Sequence, residues 1–157
     1  GLQDRNNCKI FGYNSRLDTI QATVANYKMK KKLDNITRKR IKNAHLFDSF
    51  LKSNSNVKLA KRLPYLKEVF HLYHINVKNR DKLQKFLISN SVDAKVHYPI
   101  PIHLQTASKY LKYKRGDFPV AETMAKTTLS LPVHEFITKK DIKFVVNLIN
   151  KFFSKKK

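Results

Sequence analysis

The sequence predicts an α+β fold: a long N-terminal helix followed by a small mixed or antiparallel sheet covered by helices. Three observations carry this. Residues 17–52 contain no proline or glycine and carry apolar residues at helical spacing. Beyond them, three short runs rich in β-branched and aromatic residues alternate with helical patterns. The chain then closes on a strongly amphipathic helix. Such segregation of helix and strand suits helices laid over one face of a small sheet.

The elements follow in order. Leu17, Ile20 and Val24 open the long helix, with Leu33, Ile36, Ala44, Phe47 and Leu51 continuing less regularly, so it is read as one helix or as two joined by a kink. Ser53-Asn54-Ser55-Asn56 breaks it, and a loop with Pro64 follows. A first strand is expected over Glu68 to Val77. Asn79 reads as the cap of a short helix whose apolar side is Leu83, Phe86 and Leu87. Ala94 to Tyr98 reads as a second strand, ended by Pro99 and Pro101. Short helices are expected from His103 to Tyr110 and from Phe118-Pro119 to about Lys126, then a third strand from Leu129 to Val133. In the last helix Thr138 and Asp141 form a capping box, and Ile137 with Ile142 a hydrophobic staple. Ile142, Val145, Val146, Ile149, Phe152 and Phe153 make its apolar face.

A length of 157 residues corresponds to one ordinary domain, and a hydrophobic fraction of 41% still allows a real core. No apolar run approaches the roughly 18 residues of a membrane span. No charged-then-apolar leader precedes the first helix, and the chain begins at Gly1, read as a processed, tagged or truncated start. One cysteine, Cys8, can form neither an internal disulfide nor a zinc site alone, which fits the cytoplasm. The net charge of +22 raises the question of nucleic acid or anionic membrane. The cations are mostly lysines spread along the chain, Asn and Ile are also abundant, and arginine is scarce. That favours the lysine bias of an AT-rich coding sequence and a solvated basic surface over nucleic acid as a partner.

Three glycines exclude a Gly-rich phosphate loop. His71 and His74 fall three apart in an expected strand, where they point to opposite faces, so ordinary strand histidines are preferred to metal ligands. In "VHYPIPIHLQ", Val96 to Gln105, the residues His97, Tyr98, His103 and Gln105 set donors and acceptors around a rigid extended segment. A buried edge strand with a turn explains the same residues equally well. In "FGYNSRLDTIQAT", Phe11 to Thr23, Asn14 and Ser15 suit helix caps. Arg16 in a first turn opposes the helix dipole unless an anion such as phosphate sits there.

"FGYNSRLDTIQA" resembles the segment G-x-N-x-R-L-D-x-L-Q-A-A of the DegT/DnrJ/StrS-type sugar-nucleotide aminotransferases, which depend on pyridoxal phosphate. "VFHLYHINVKNRDKLQKFL", "VHYPIPIHLQ", "GDFPVAE" and "LSLPVHEFIT" resemble later blocks of that family in the same order, from Gly1 to Phe153. The family often has glycine at Ser91 and proline at Thr106. The resemblance implies an enzyme more than twice this length. Its large domain carries the Schiff-base lysine and the other cofactor contacts, ahead of the segment that starts here. None of this chain's lysines lies in that lysine motif. The chain then resembles the C-terminal portion: residues 1–16 from the end of the large domain, 17–52 a linking helix, and 53–157 the small domain of a fold type I aminotransferase. By the same resemblance, Asn14 reaches the cofactor phosphate of the partner subunit in a homodimer with shared active sites, and Arg16 lies close by. His97, Tyr98 and His103 approach the nucleotide-linked keto-deoxysugar, and glutamate supplies the amino group. The alternatives are a basic nucleic-acid-binding module, resting on charge alone, and a fragment that folds but is catalytically silent.

Overall fold

The computed structural model describes residues 2–4, 6–13 and 16–154. The Asp18 carboxylate accepts the Gln21 amide at 2.9 Å. This satisfies one of the free N–H groups of a helix start, and α1 runs from Thr19 to Lys31. The helix therefore begins two residues after Leu17, and Arg16 precedes its first turn rather than sitting in it. Asn14 and Ser15 lie outside the described residues. α2, Leu33–Leu51, follows after an interruption at Lys32 (φ −129°) that the helical hydrogen bonds bridge on both sides. The two halves differ in what they cover. α1 buries no residue, and Leu17, Ile20 and Val24 are exposed. α2 buries Ala44, Phe47 and Leu51, spaced by three and four.

Two short strands form the sheet. β1, Tyr73–Asn76, pairs antiparallel with β2, Thr128–Leu131, so that Tyr73 faces Leu131 and Asn76 faces Thr128. Single antiparallel bridges flank the pair, Lys58 with Asn76 and Lys95 with Ser130. The expected strands are shorter here than their composition suggests, and each loss has a cause. Phe70 takes φ +51°, which breaks the extended path before Tyr73. Its ring is buried near Tyr73 and beneath the Arg62 guanidinium. Segment 94–98 keeps only the Lys95 bridge, because Pro99 and Pro101 cannot donate to a ladder. Pro132 likewise follows the end of β2.

α3 (Arg80–Ser89), α4 (Pro119–Thr127) and α5 (Lys139–Ser154) complete the fold. α5 packs on both α2 and α3, and Ile142, Val145, Val146 and Ile149 are buried with Phe47, Tyr73, Ile75, Leu83, Leu87 and Leu129 in one core. The capping box forms as expected: Asp141 Oδ2 accepts the Thr138 amide at 2.8 Å, and Thr138 Oγ1 accepts the Asp141 amide at 3.2 Å. Asn79 occupies the cap position of α3 but makes no side-chain cap bond. The first residue of that helix, Arg80, has the larger role. It is buried and donates to the Thr128 and Ala125 carbonyls at 2.9 and 3.1 Å, so a cation closes the C-terminal end of α4. Ser91, where the resembling family often has glycine, adopts φ +61° in a turn closed by Val92 N–H to Leu87 O.

Candidate substrate pocket

The chain from Val96 to α4 wraps around a concavity. Pro99 and Pro101 hold their stretch extended. Two 3-10 turns, Ile102–Leu104 and Thr106–Leu111, bend the backbone back, and α4 forms the far wall. They enclose a cavity of about 620 Å³. His97, Tyr98 and His103, the three residues expected to meet a sugar nucleotide, all line it, with Tyr113 and Phe118 beside them. His74 of β1 also reaches this cavity, whereas His71 lies before the strand and is exposed. Arg16 is exposed and is not among the lining residues, and Asn14 lies outside the described residues.

His97 and His103 are each held from behind. His97 Nδ1 lies 3.0 Å from the Ser130 hydroxyl, on a buried β2 residue whose backbone already pairs with Lys95. The His97 ring meets Tyr98 edge-on at 5.6 Å. His103 Nε2 lies 3.2 Å from Glu122 Oε1. That oxygen also accepts the Gly116 amide at 2.7 Å, and both His103 and Glu122 are buried. Gly116 has φ +99°, a conformation that the tight turn before α4 requires and other residues rarely adopt. The Gly116 amide, the largest influence, and the His103 contact hold the Glu122 carboxyl below the usual carboxylate range despite partial desolvation. Phe118 packs on the His103 ring at 4.8 Å, and Tyr113 meets Phe118 edge-on at 5.0 Å. The 3-10 turns are fixed by Ser108 Oγ donating to Ile102 O at 2.6 Å and by Gln105. The Gln105 amide accepts from Cys8 N–H and donates to the carbonyls of Asn6 and Ile100, joining the opening segment to the pocket's rim.

This site offers imidazole and phenol groups around an otherwise apolar, aromatic wall. Its described lining residues include no lysine and no arginine. Among them there is neither an amine to bind a pyridoxal aldehyde nor an ammonium or guanidinium to balance a phosphate, and they do not fit pyridoxal phosphate. It suits a neutral, partly apolar group with a few hydrogen-bonding atoms. Ser130 and Glu122 stand in the blocks "LSLPVHEFIT" and "GDFPVAE", yet sequence reasoning gave them no role. Glu122 follows a helix-starting proline, and by sequence alone it reads as a first-turn partner of the helix dipole. Nothing local announces a histidine nineteen residues earlier.

Residues 1–150 match the DegT/DnrJ/EryC1/StrS aminotransferase family. The chain belongs to this family. Among its relatives, a "Pleiotropic regulatory protein" of Geobacillus stearothermophilus is 37% identical over 92% of this chain. A "dTDP-3-amino-3,6-dideoxy-alpha-D-galactopyranose transaminase" of Aneurinibacillus thermoaerophilus is 29% identical over 90% of it. The crystal structure of S. venezuelae DesV superposes over 97% of the chain with a TM-score of 0.82 and 28% identity. This chain covers 39%, 38% and 41% of those three proteins, so it spans about two-fifths of the length of the family members it matches. No described helix is long and apolar enough to cross a membrane.

Proposed function

We propose that this chain is the C-terminal part of a pyridoxal-phosphate-dependent aminotransferase that passes an amino group from glutamate to a nucleotide-linked keto-deoxysugar. Residues 1–16 are then the active-site segment at the end of the large domain, 17–52 the linking helix and 53–157 the small domain. His97, Tyr98 and His103 contact the sugar nucleotide. Asn14 and Arg16 serve the cofactor phosphate of the partner subunit in a homodimer. The carrying observation is that three residues separated by up to six positions converge on one aromatic-walled cavity in a chain of this family. Relatives named as dTDP-amino-sugar transaminases support the substrate class.

On this reading the lysine that holds the cofactor is supplied by sequence outside this chain, because none of its own lysines stands in the family's lysine motif. The isolated chain is then catalytically silent. Incubation with pyridoxal phosphate, borohydride reduction and mass spectrometry test this directly. Only scattered substoichiometric labelling is expected, and stoichiometric modification of one lysine would overturn it.

A further inference from the structure

The Glu122–His103 pair carries more than a wall contact. The Gly116 amide donates to Glu122 Oε1, and so stabilises the ionised carboxylate. An ionised carboxylate only accepts hydrogen bonds. The 3.2 Å contact therefore requires the proton on His103 Nε2. A neutral imidazole with Nε2–H has an unprotonated Nδ1. Among the described residues His103 Nδ1 has no hydrogen-bond partner, yet no side-chain nitrogen or oxygen there is both shielded and unpartnered. Nδ1 therefore keeps an open side, and the cavity is the space that His103 borders. Phe118 against the ring opposes its rotation.

We propose that Glu122 is a positioning residue: it locks His103 as the Nε2–H tautomer, so that Nδ1 presents a lone pair to the cavity and selects a ligand bearing an O–H or N–H donor at that point. That the ligand is a sugar nucleotide rests on the function proposed above; the tautomer does not. Two parts of such a ligand carry the donor, a sugar hydroxyl or the imide N–H of a pyrimidine base.

Long-range ¹H–¹⁵N NMR of the histidine rings in the intact chain at neutral pH reads the tautomer without any ligand. The expected result is an unprotonated Nδ1 at His103. Glu122→Ala should release the ring to a mixture of tautomers, and Glu122→Gln, whose amide oxygen still accepts, should restore the wild-type signature. A protonated Nδ1 in the wild type, or an unaltered tautomer in Glu122→Ala, would overturn the proposal. Should Glu122→Ala fail to fold, the wild-type spectrum alone decides. Titration with thymidine diphosphate and thymidine diphosphate glucose then locates the donor. A shift of Nδ1 with the sugar conjugate alone assigns a sugar hydroxyl, and a shift with both assigns the nucleotide. In either case Glu122→Ala should weaken probe binding on the order of tenfold. Binding that perturbs the cavity but leaves Nδ1 unmoved would overturn the selection by a donor. Absence of any shift in the cavity would count against the substrate reading and leave the tautomer result standing.

Discussion

Asp48 receives three donors. Arg62 reaches it through Nε at 3.1 Å and Nη2 at 3.2 Å, and the Tyr73 hydroxyl at 2.8 Å. Burial, then the neighbouring Asp48 charge, pushes the Tyr73 phenol far above its ordinary range. Arg62 also lies over the Phe70 ring at 4.9 Å and pairs with Glu68, which is the more exposed carboxylate. Asp48→Ala leaves a buried hydroxyl and a guanidinium short of partners and should cost about 2–3 kcal/mol. Glu68→Ala should cost less than about 1 kcal/mol, as exposed ion pairs do. Urea denaturation of the two variants compares them, and equal losses would contradict this ranking. Glu122 gives a pH signature instead. Its folded pKa is depressed below the ordinary 4.5, so its contribution is present above that value and is lost as pH falls through the lower folded pKa. The Gly116 amide should lose exchange protection over that acid window in the wild type, and Glu122→Gln should remove the step. At this scale sequence reasoning singled out His97, Tyr98 and His103, which line the cavity, and missed the groups behind them. Histidine and tyrosine in a proline-rigid segment are conspicuous, but Ser130 and Glu122 act across 33 and 19 residues of chain.

At the scale of elements, α5 was legible to the residue because its signals are local: a capping box, a staple and an apolar face within one segment. β1 was overread because its composition stays β-rich through Phe70, where the backbone turns left-handed to bury the ring. Leu17, Ile20 and Val24 have helical spacing at the start of the long helix, but no described residue buries this side. Native-state hydrogen exchange should therefore protect α5 and the second half of α2 strongly and α1 only weakly. Equal protection along α1 and α2 would mean that the two are covered alike. Ser91 tests a terminus. A non-glycine residue at φ +61° carries a backbone strain that glycine relieves, partly offset by glycine's greater freedom when unfolded. Ser91→Gly should stabilise the chain by about 0.5–1 kcal/mol, read as a raised thermal midpoint. A lowered midpoint would show that the serine side chain contributes something the turn geometry does not.

For the molecule as a whole, the charge of +22 and the cavity point in different directions. Among the described residues the cavity is lined by no lysine or arginine, so the described lysines and arginines do not form its wall. Binding to RNA or duplex DNA should be weak, indifferent to sequence and steeply reduced by salt. A sequence-selective complex that survives 200 mM salt, a concentration at which several phosphate contacts lose orders of magnitude in affinity, would instead favour a nucleic-acid module.

The stitch made by Gln105 bears on how this polypeptide can be cut. Its side chain and the Ala107 amide hold Asn6 and Cys8 against the second 3-10 turn, ninety-seven residues away in the case of Cys8. Phe11 adds an edge-on contact to Tyr110. A dissection that starts at the first helix, the obvious boundary, would therefore take away the partners of Gln105, Ala107 and Tyr110 rather than trim a tail. The same geometry makes the opening segment a detachable clip. A synthetic peptide of residues 2–13 added to a chain beginning at Leu17 should reseat on the turn, and Gln105→Ala should abolish that complementation.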